Sequence, residues 1–250
     1  MSNILTTHVG SLPRSKELSE FLFAKDKGEK FSQSSFDEVL KNNVESVVKR
    51  QLDVGIDFVS DGEMSKISYA TYIKDRIDGF SGESERRAPA DLDDFPEYKE
   101  KIAKSGGTPT YTRPCCTNEL KVKDETSLLQ DINNFKNSLD KLNHRHAFMN
   151  SASPGVINVF MPNKFYSTED EYLDKLSNIM AKEYELITKS DIQVQLDCPD
   201  LALARHMNFK NLSEDEFIKR AELQIECLNS ALSNVDVEQT RMHICWGNYE

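Results

Sequence analysis

The feature that most constrains this chain is an alternation. Short runs rich in β-formers are separated by long stretches of helical periodicity, which is the pattern of parallel βα units. Five such runs stand out: residues 4–9 (ILTTHV), 56–60 (IDFVS), 145–150 (RHAFMN), 192–197 (IQVQLD) and 240–246 (TRMHICW). Four of them lead straight into a polar or Gly/Pro-containing turn, where α/β proteins keep their chemistry. The helices between them mark their own starts, because Ser35 to Glu38, Thr168 to Glu171 and Ser213 to Glu216 each spell the S/T-x-x-E capping box. After the first box, Phe36, Val39, Leu40, Val44, Val47, Val48 and Leu52 recur at steps of three and four, one apolar stripe to lay against a sheet. Tyr172, Leu173, Leu176, Ile179, Met180 and Ile187 do the same after the second. Residues 81–123 break the alternation with charges, prolines and a Gly-Gly pair, and are expected to form a surface insertion, a hairpin or a lid.

Composition excludes several functions. Acidic residues outnumber basic ones, 42 to 31, for a net charge of -11, and no lysine or arginine block exceeds a pair. Nucleic acid is therefore not the expected partner. No 18 apolar residues run together, and the opening MSNILTTHVG lacks the basic-then-apolar profile of a secretory signal, so the expectation is a cytoplasmic protein with no membrane partner. Five cysteines are an odd number in a chain too large to need disulfide staples, which favours free thiols or metal ligands. A phosphate-cradling glycine fingerprint, G-x-S-x-G and H-E-x-x-H are all absent.

Four constellations carry possible chemistry. In MHICWGN, strand alternation puts His243 and Cys245 on one face and Met242, Ile244 and Trp246 on the other. An imidazole and a thiol so placed suit zinc, or else are a packed cysteine beside a hydrogen-bonded histidine. In SDGEMSK, Asp61 and Glu63 follow the second run, fit to hold an ammonium group, to act as acid or base, or to be plain turn acids. In IQVQLD, Ile192, Val194 and Leu196 alternate with Gln193, Gln195 and Asp197, a polar row that faces either a ligand or a structural hydrogen-bond network. In TTHVGSLPR, Gly10 and Pro13 bracket Ser11 in a tight turn whose backbone N–H groups could receive a carboxylate, or which merely connects strand to helix.

In this order, TTHVGSLPR, Asp-Gly-Glu, NSASPG, Leu-Asp-Cys-Pro and HICWGN resemble the catalytic barrel of the cobalamin-independent methionine synthase family, and more closely its short single-barrel relatives. The resemblance implies a TIM-type (β/α) barrel with about five of its eight strands present, a single incomplete domain over residues 1–250 with the insertion at about 81–123. It implies that His243 and Cys245 are two of four zinc ligands, that Glu63 and Asp197 grip the amino group of homocysteine, and that Ser11 meets its carboxylate with His8 close by. The implied activity is zinc-dependent transfer of a methyl or other alkyl group to a small thiol, with a reduced folate as the expected methyl donor.

Three departures qualify the match. The chain stops at Glu250, before the glutamate and second cysteine that complete the family's zinc shell, so the expectation is a truncation by about 100 or more residues. Cys198 replaces the family's acid between Asp197 and Pro199. No tryptophan follows NSASPG to stack on a folate ring, which leaves Phe160, Phe165 or Tyr166 for that task. Two other readings stay open: a metal-free lyase or decarboxylase using Asp61, Glu63 and Asp197, and a non-catalytic ligand-binding fragment. The sequence does not specify an oligomeric state.

Overall fold

The computed structural model describes residues 4–85, 90–104, 111–142, 144 and 146–247. Arg145, Asn248, Glu250 and parts of the 81–123 stretch, all invoked above, lie outside them. In chain order the elements are α1 (Lys16–Asp26), α2 (Gln33–Asp53), β1 (Phe58–Ser60), β2 (Ile77–Ser81), α3 (Pro96–Lys104), β3 (Cys115–Val122), α4 (Thr126–Leu139), β4 (His146–Ala152), α5 (Pro154–Phe160), α6 (Glu169–Thr188), β5 (Gln193–Asp197), α7 (Glu214–Ala231) and β6 (Thr240–His243).

Strands β1, β4, β5 and β6 form one parallel sheet in that order. Each new strand joins the same edge as its predecessor, so the winding never reverses. That is barrel winding, with no switch point of the doubly wound kind. The register puts Phe58, Ser60, His146, Phe148, Asn150, Gln195, Asp197, Arg241 and His243 in rows on one face. The opposite face carries Val59, Ala147, Met149, Val194 and Leu196, all buried under the helices with Val48, Leu176, Met180, Tyr184 and Leu228. Period-two alternation in the strands and period-3.6 stripes in α2 and α6 thus meet in one apolar layer.

The structure corrects the expected elements in four places. Residues 4–9 form no strand; they touch β1 through one parallel bridge, Thr7 to Phe58. There the Asp57 carboxylate accepts from both N and Oγ1 of Thr6, so a side-chain clasp replaces a ladder. The last strand ends at His243, two residues short of Cys245, although exposure continues to alternate through Trp246. Helix α2 starts before the proposed box at Ser35, because Ser32 Oγ accepts the Ser35 amide and adds most of a turn. The caps at Thr168 and Ser213 stand as read, Ser213 and Glu216 forming the full reciprocal box. Finally, β2 and β3 pair antiparallel, so a hairpin begins at Ile77 rather than at residue 81.

A buried ionic network joins the segment after β1 to the helix layer. Arg76 donates to Asp131 on α4 at 2.5 Å and to Glu183 on α6 at 2.8 Å. Glu183 also accepts from Ser151 Oγ at 2.7 Å and from the Tyr72 hydroxyl, and Asp131 from Ser65 Oγ at 2.8 Å. Burial works against the Arg76 charge, but Glu183 and Asp131 outweigh it and raise the guanidinium above its ordinary range. Removing one partner of such a network strands the others in a low-dielectric interior. Arg76→Met should therefore lower the unfolding free energy by about 3–5 kcal/mol in a urea titration, and a loss under about 1 kcal/mol would show that the network is not holding these layers together.

Candidate active site

Polar side chains from several elements collect at the end of the sheet where the parallel strands finish. Asn150 on β4 donates from Nδ2 to both oxygens of Asp197, at 3.3 and 3.1 Å, and to the Val9 carbonyl at 2.9 Å. Gln195 on β5 donates from Nε2 to Asp197 Oδ1 at 2.9 Å and to the same Val9 carbonyl at 2.7 Å. The polar row of IQVQLD therefore faces inward and fixes Asp197, while Val194 and Leu196 pack outward. Asn150 Oδ1 is buried and has no partner, a spare acceptor inside the cluster.

Glu63 reaches the same place through a tight turn. Gly62 and Glu63 are consecutive left-handed residues, with φ of 64° and 55°. A Cβ on residue 62 would lie 2.9 Å from Met64 Cε and 3.2 Å from Leu12 Cβ, so the turn requires glycine there. For a glutamate this conformation costs on the order of 1 kcal/mol, and it is over-determined by its surroundings. The Asp61 carboxylate accepts the Glu63 amide at 3.1 Å, the Ser60 hydroxyl accepts the Gly62 amide at 3.2 Å, and Arg14 Nη2 donates to the carbonyls of Glu63 and Lys66 at 2.8 and 2.7 Å. The Glu63 side chain ends 1% exposed, accepting from Ser11 Oγ at 2.5 Å.

Like charges crowd this cluster. Burial pushes the Glu63 carboxyl up, Lys66 opposes the shift, and the Asp197 charge adds to it. Burial likewise raises Asp197, against the pull of the Gln195 and Asn150 amides. Lys66 acts on Asp61, Glu63 and Asp197 alike, while Arg14 adds its charge on the Glu63 side and Arg241 on the Asp197 side. Two buried carboxylates beside a spare amide oxygen are a set of acceptors that an ammonium group would fit.

Asp61 braces the turn rather than facing a cavity. His243 lies opposite Asp197 in the β5–β6 register, near enough to feel the Glu63 charge, and burial lowers its pKa toward the neutral imidazole. His243 and Cys245 are both half-buried, while Met242, Ile244 and Trp246 are exposed at 48%, 55% and 58%. Imidazole nitrogen and thiol sulfur are the right donors for zinc, yet among the described residues no three His, Cys, Asp or Glu side chains converge as a metal site. The pair amounts to half of a tetrahedral shell. His8 is half-buried, and among the described residues no hydrogen bond or ion pair ties its imidazole to the cluster. Sequence reading missed the roles of Lys66 and Asn150, which have no periodic signature and act through partners far along the chain.

Beside the cluster, Ser153 caps α5 and Pro154 opens it. A Cβ on Gly155 would sit 2.1 Å from Asp200 Oδ2, so the turn NSASPG needs its glycine to admit Asp200. Burial also pushes the Cys198 thiol up, away from thiolate. Next to α5 is a cavity of about 340 Å³ lined by Arg113, Cys115, Phe160, Lys164 and Asn208 among others. The Arg113 guanidinium stacks 4.8 Å over the Phe160 ring, and Tyr69 meets that ring edge-on at 5.7 Å. Tyr69 in turn lies within electrostatic range of Cys245 and Asp197. No helix among the described residues is long and apolar enough to cross a membrane.

Burial raises Asp200 from its ordinary 3.8 to about 6, against hydrogen bonding from Ser153. Its contribution to stability is therefore full below pH 3.8 and is lost as the pH rises through about 6. Asp200→Asn should flatten the decline in thermal stability across that window relative to the unsubstituted chain. Parallel profiles for the two proteins would contradict the buried, raised aspartate.

Comparison with known proteins agrees with this geometry. Residues 4–89 match the family model described as the catalytic domain of the cobalamin-independent synthases. A methionine synthase of Sulfolobus acidocaldarius is 25% identical over 245 residues, 98% of this chain and 62% of the relative. A 5-methyltetrahydropteroyltriglutamate–homocysteine methyltransferase of Bifidobacterium adolescentis is 31% identical over 75 residues, 30% of this chain and 10% of that protein. Among solved structures, a B12-independent methionine synthase from a Shewanella species, in complex with selenomethionine, superposes with a TM-score of 0.68 at 17% identity, covering 97% of this chain and 61% of the other. The chain thus spans about three-fifths of the length of the relatives it matches. Along nearly its whole length this chain is similar in sequence to methionine synthases, over residues 4–89 to the catalytic domain of the cobalamin-independent synthases, and in fold to a B12-independent methionine synthase.

Proposed function

We propose that this chain serves methyl transfer to a small amino thiol of the homocysteine type. The observation that carries the reading is the buried pair Glu63 and Asp197 beside the unpartnered Asn150 Oδ1, with His243 opposite Asp197 at the end of β6 and Cys245 two residues further on. The names of the relatives, methionine synthase and homocysteine methyltransferase, support the same substrate. In this reading the ligand ammonium displaces the Ser11 hydroxyl from Glu63 and donates to the two carboxylates and to the unpartnered Asn150 Oδ1. The freed Ser11 hydroxyl, at the exposed rim, then meets the ligand carboxylate. Anchored at its α-carbon, the ligand directs its sulfur toward His243 and Cys245. Zinc held by those two side chains and by donors outside the described residues would supply thiol activation, by lowering the thiol pKa so that thiolate exists at neutral pH.

The methyl donor in this reading is a reduced folate, and the cavity beside Phe160 is the space for it. Phe160 and Tyr69 offer aromatic surface to a flat ring, and Arg113 and Lys164 offer cations to its carboxylates. Orientation of donor and acceptor is then the protein's main contribution, worth up to about 7–11 kcal/mol for a well-aligned pair. Against the metal-free lyase reading stand the names of the relatives and the use of Asp61 within the turn, where it accepts the Glu63 amide.

The test pairs calorimetry with metal analysis. Glu63→Gln should weaken homocysteine binding by about tenfold or more without changing zinc content, because it removes a charge-assisted contact and no metal donor. His243→Ala and Cys245→Ser should each lower zinc uptake. Unchanged homocysteine affinity in the first variant would refute the ammonium site, and undiminished zinc in either of the others would refute their part in metal binding.

A further inference from the structure

Lys66 makes no contact with the ligand in the reading above, yet it is one of the most deeply buried charges in the protein, 2% exposed. Its ammonium donates to the backbone carbonyl of Asn150 on β4 and sits 4.3 Å from the centroid of the Tyr72 ring. From the other side, Arg14 Nη2 holds the carbonyls of Lys66 and Glu63 together. Lys66 therefore clamps the loop that presents Glu63 to the one residue whose amide spans both oxygens of Asp197.

A methionine could fill the same volume against Tyr72 without desolvating a charge. What methionine would lack is the donor to Asn150 and the positive field. Five buried carboxylates, Asp61, Glu63, Asp131, Glu183 and Asp197, feel the Lys66 charge. Arg76 is already committed to Asp131 and Glu183, Arg14 acts on Glu63 and Arg241 on Asp197, whereas the Lys66 charge acts on both Glu63 and Asp197 and helps these two like charges stay close.

We propose that Lys66 is the positioning residue that fixes the separation of Glu63 and Asp197, and thereby the preference of this site for ligands bearing an amino group. The proposal rests on the reading of those two carboxylates as the ammonium site. It assigns to Lys66 no contact with the ligand; the lysine acts through Asn150 and through the loop.

Calorimetry on the whole chain, with homocysteine and with 4-mercaptobutanoate, which keeps the thiol and carboxylate but lacks the amine, separates this role from simple support of the fold. The unsubstituted protein should prefer homocysteine. Lys66→Met should shrink that preference on the order of tenfold, almost wholly through weaker homocysteine binding, and Lys66→Arg should restore most of it. An unchanged ratio in folded Lys66→Met overturns the proposal. If that variant does not fold, Lys66→Gln, which removes the positive charge but keeps an amide donor, should shrink the preference too, and an intact preference there overturns it equally. Should the unsubstituted chain show no preference, the ammonium reading itself fails. Amide hydrogen exchange without ligand then decides the clamp: exchange over residues 61–66 should quicken in Lys66→Met and not in Lys66→Arg, and no change in the methionine variant overturns it.

Discussion

Five carboxylates, some under the helices and some at the strand ends, are gathered around two buried cations, Lys66 and Arg76, and the geometry of the site depends on that cluster. Buried acids without counter-charge would take up protons or water, and either outcome would loosen the loop after β1. Arg76 ties that loop outward to α4 and α6, while Lys66 ties it inward to β4. Between these two anchors the chain accepts a left-handed glutamate, an arrangement that neither local propensity nor apolar packing would choose. The strain is local, of about 1 kcal/mol, and the hydrogen bonds from Asp61, Ser60 and Arg14 offset it.

Scaffold and site use different physics. The scaffold is apolar: strand residues of one parity pack under α2, α6 and α7. The site is polar and sits on the other parity, where Gln195 and Asp197 alternate with Val194 and Leu196. One strand thus serves both layers, and a slip of one residue in its register would exchange core for site. The outer face of β6 lacks such cover among the described residues, with Met242, Ile244 and Trp246 half exposed.

What the sequence made legible was whatever repeats over a few residues. The strand cores near residues 58, 148, 195 and 242, the stripes of α2 and α6, and the caps at Thr168 and Ser213 all follow from such periods. The face shared by His243 and Cys245 was legible for the same reason, and it survives past the end of the strand as alternating exposure. Features set by tertiary partners were not legible. Residues 4–9 meet β1 through one bridge and an Asp57 side-chain clasp where a ladder was expected. Lys66 reaches a carbonyl 84 residues away and Arg76 a carboxylate 107 residues away, distances over which sequence pattern says nothing. The acids at 61, 63 and 197 were visible as candidates, but only the fold separates Asp61, which accepts the Glu63 amide within the turn, from Glu63 and Asp197, which share one polar cluster.

The central claim is that Glu63 and Asp197 form one ammonium site at the end of the sheet. A crystal structure of this chain with homocysteine tests it most directly. The account predicts the amino nitrogen about 3 Å from carboxylate oxygens of both residues, with the Ser11 hydroxyl moved off Glu63. A homocysteine bound elsewhere, or bound there with its amine turned away from either carboxylate, would contradict it.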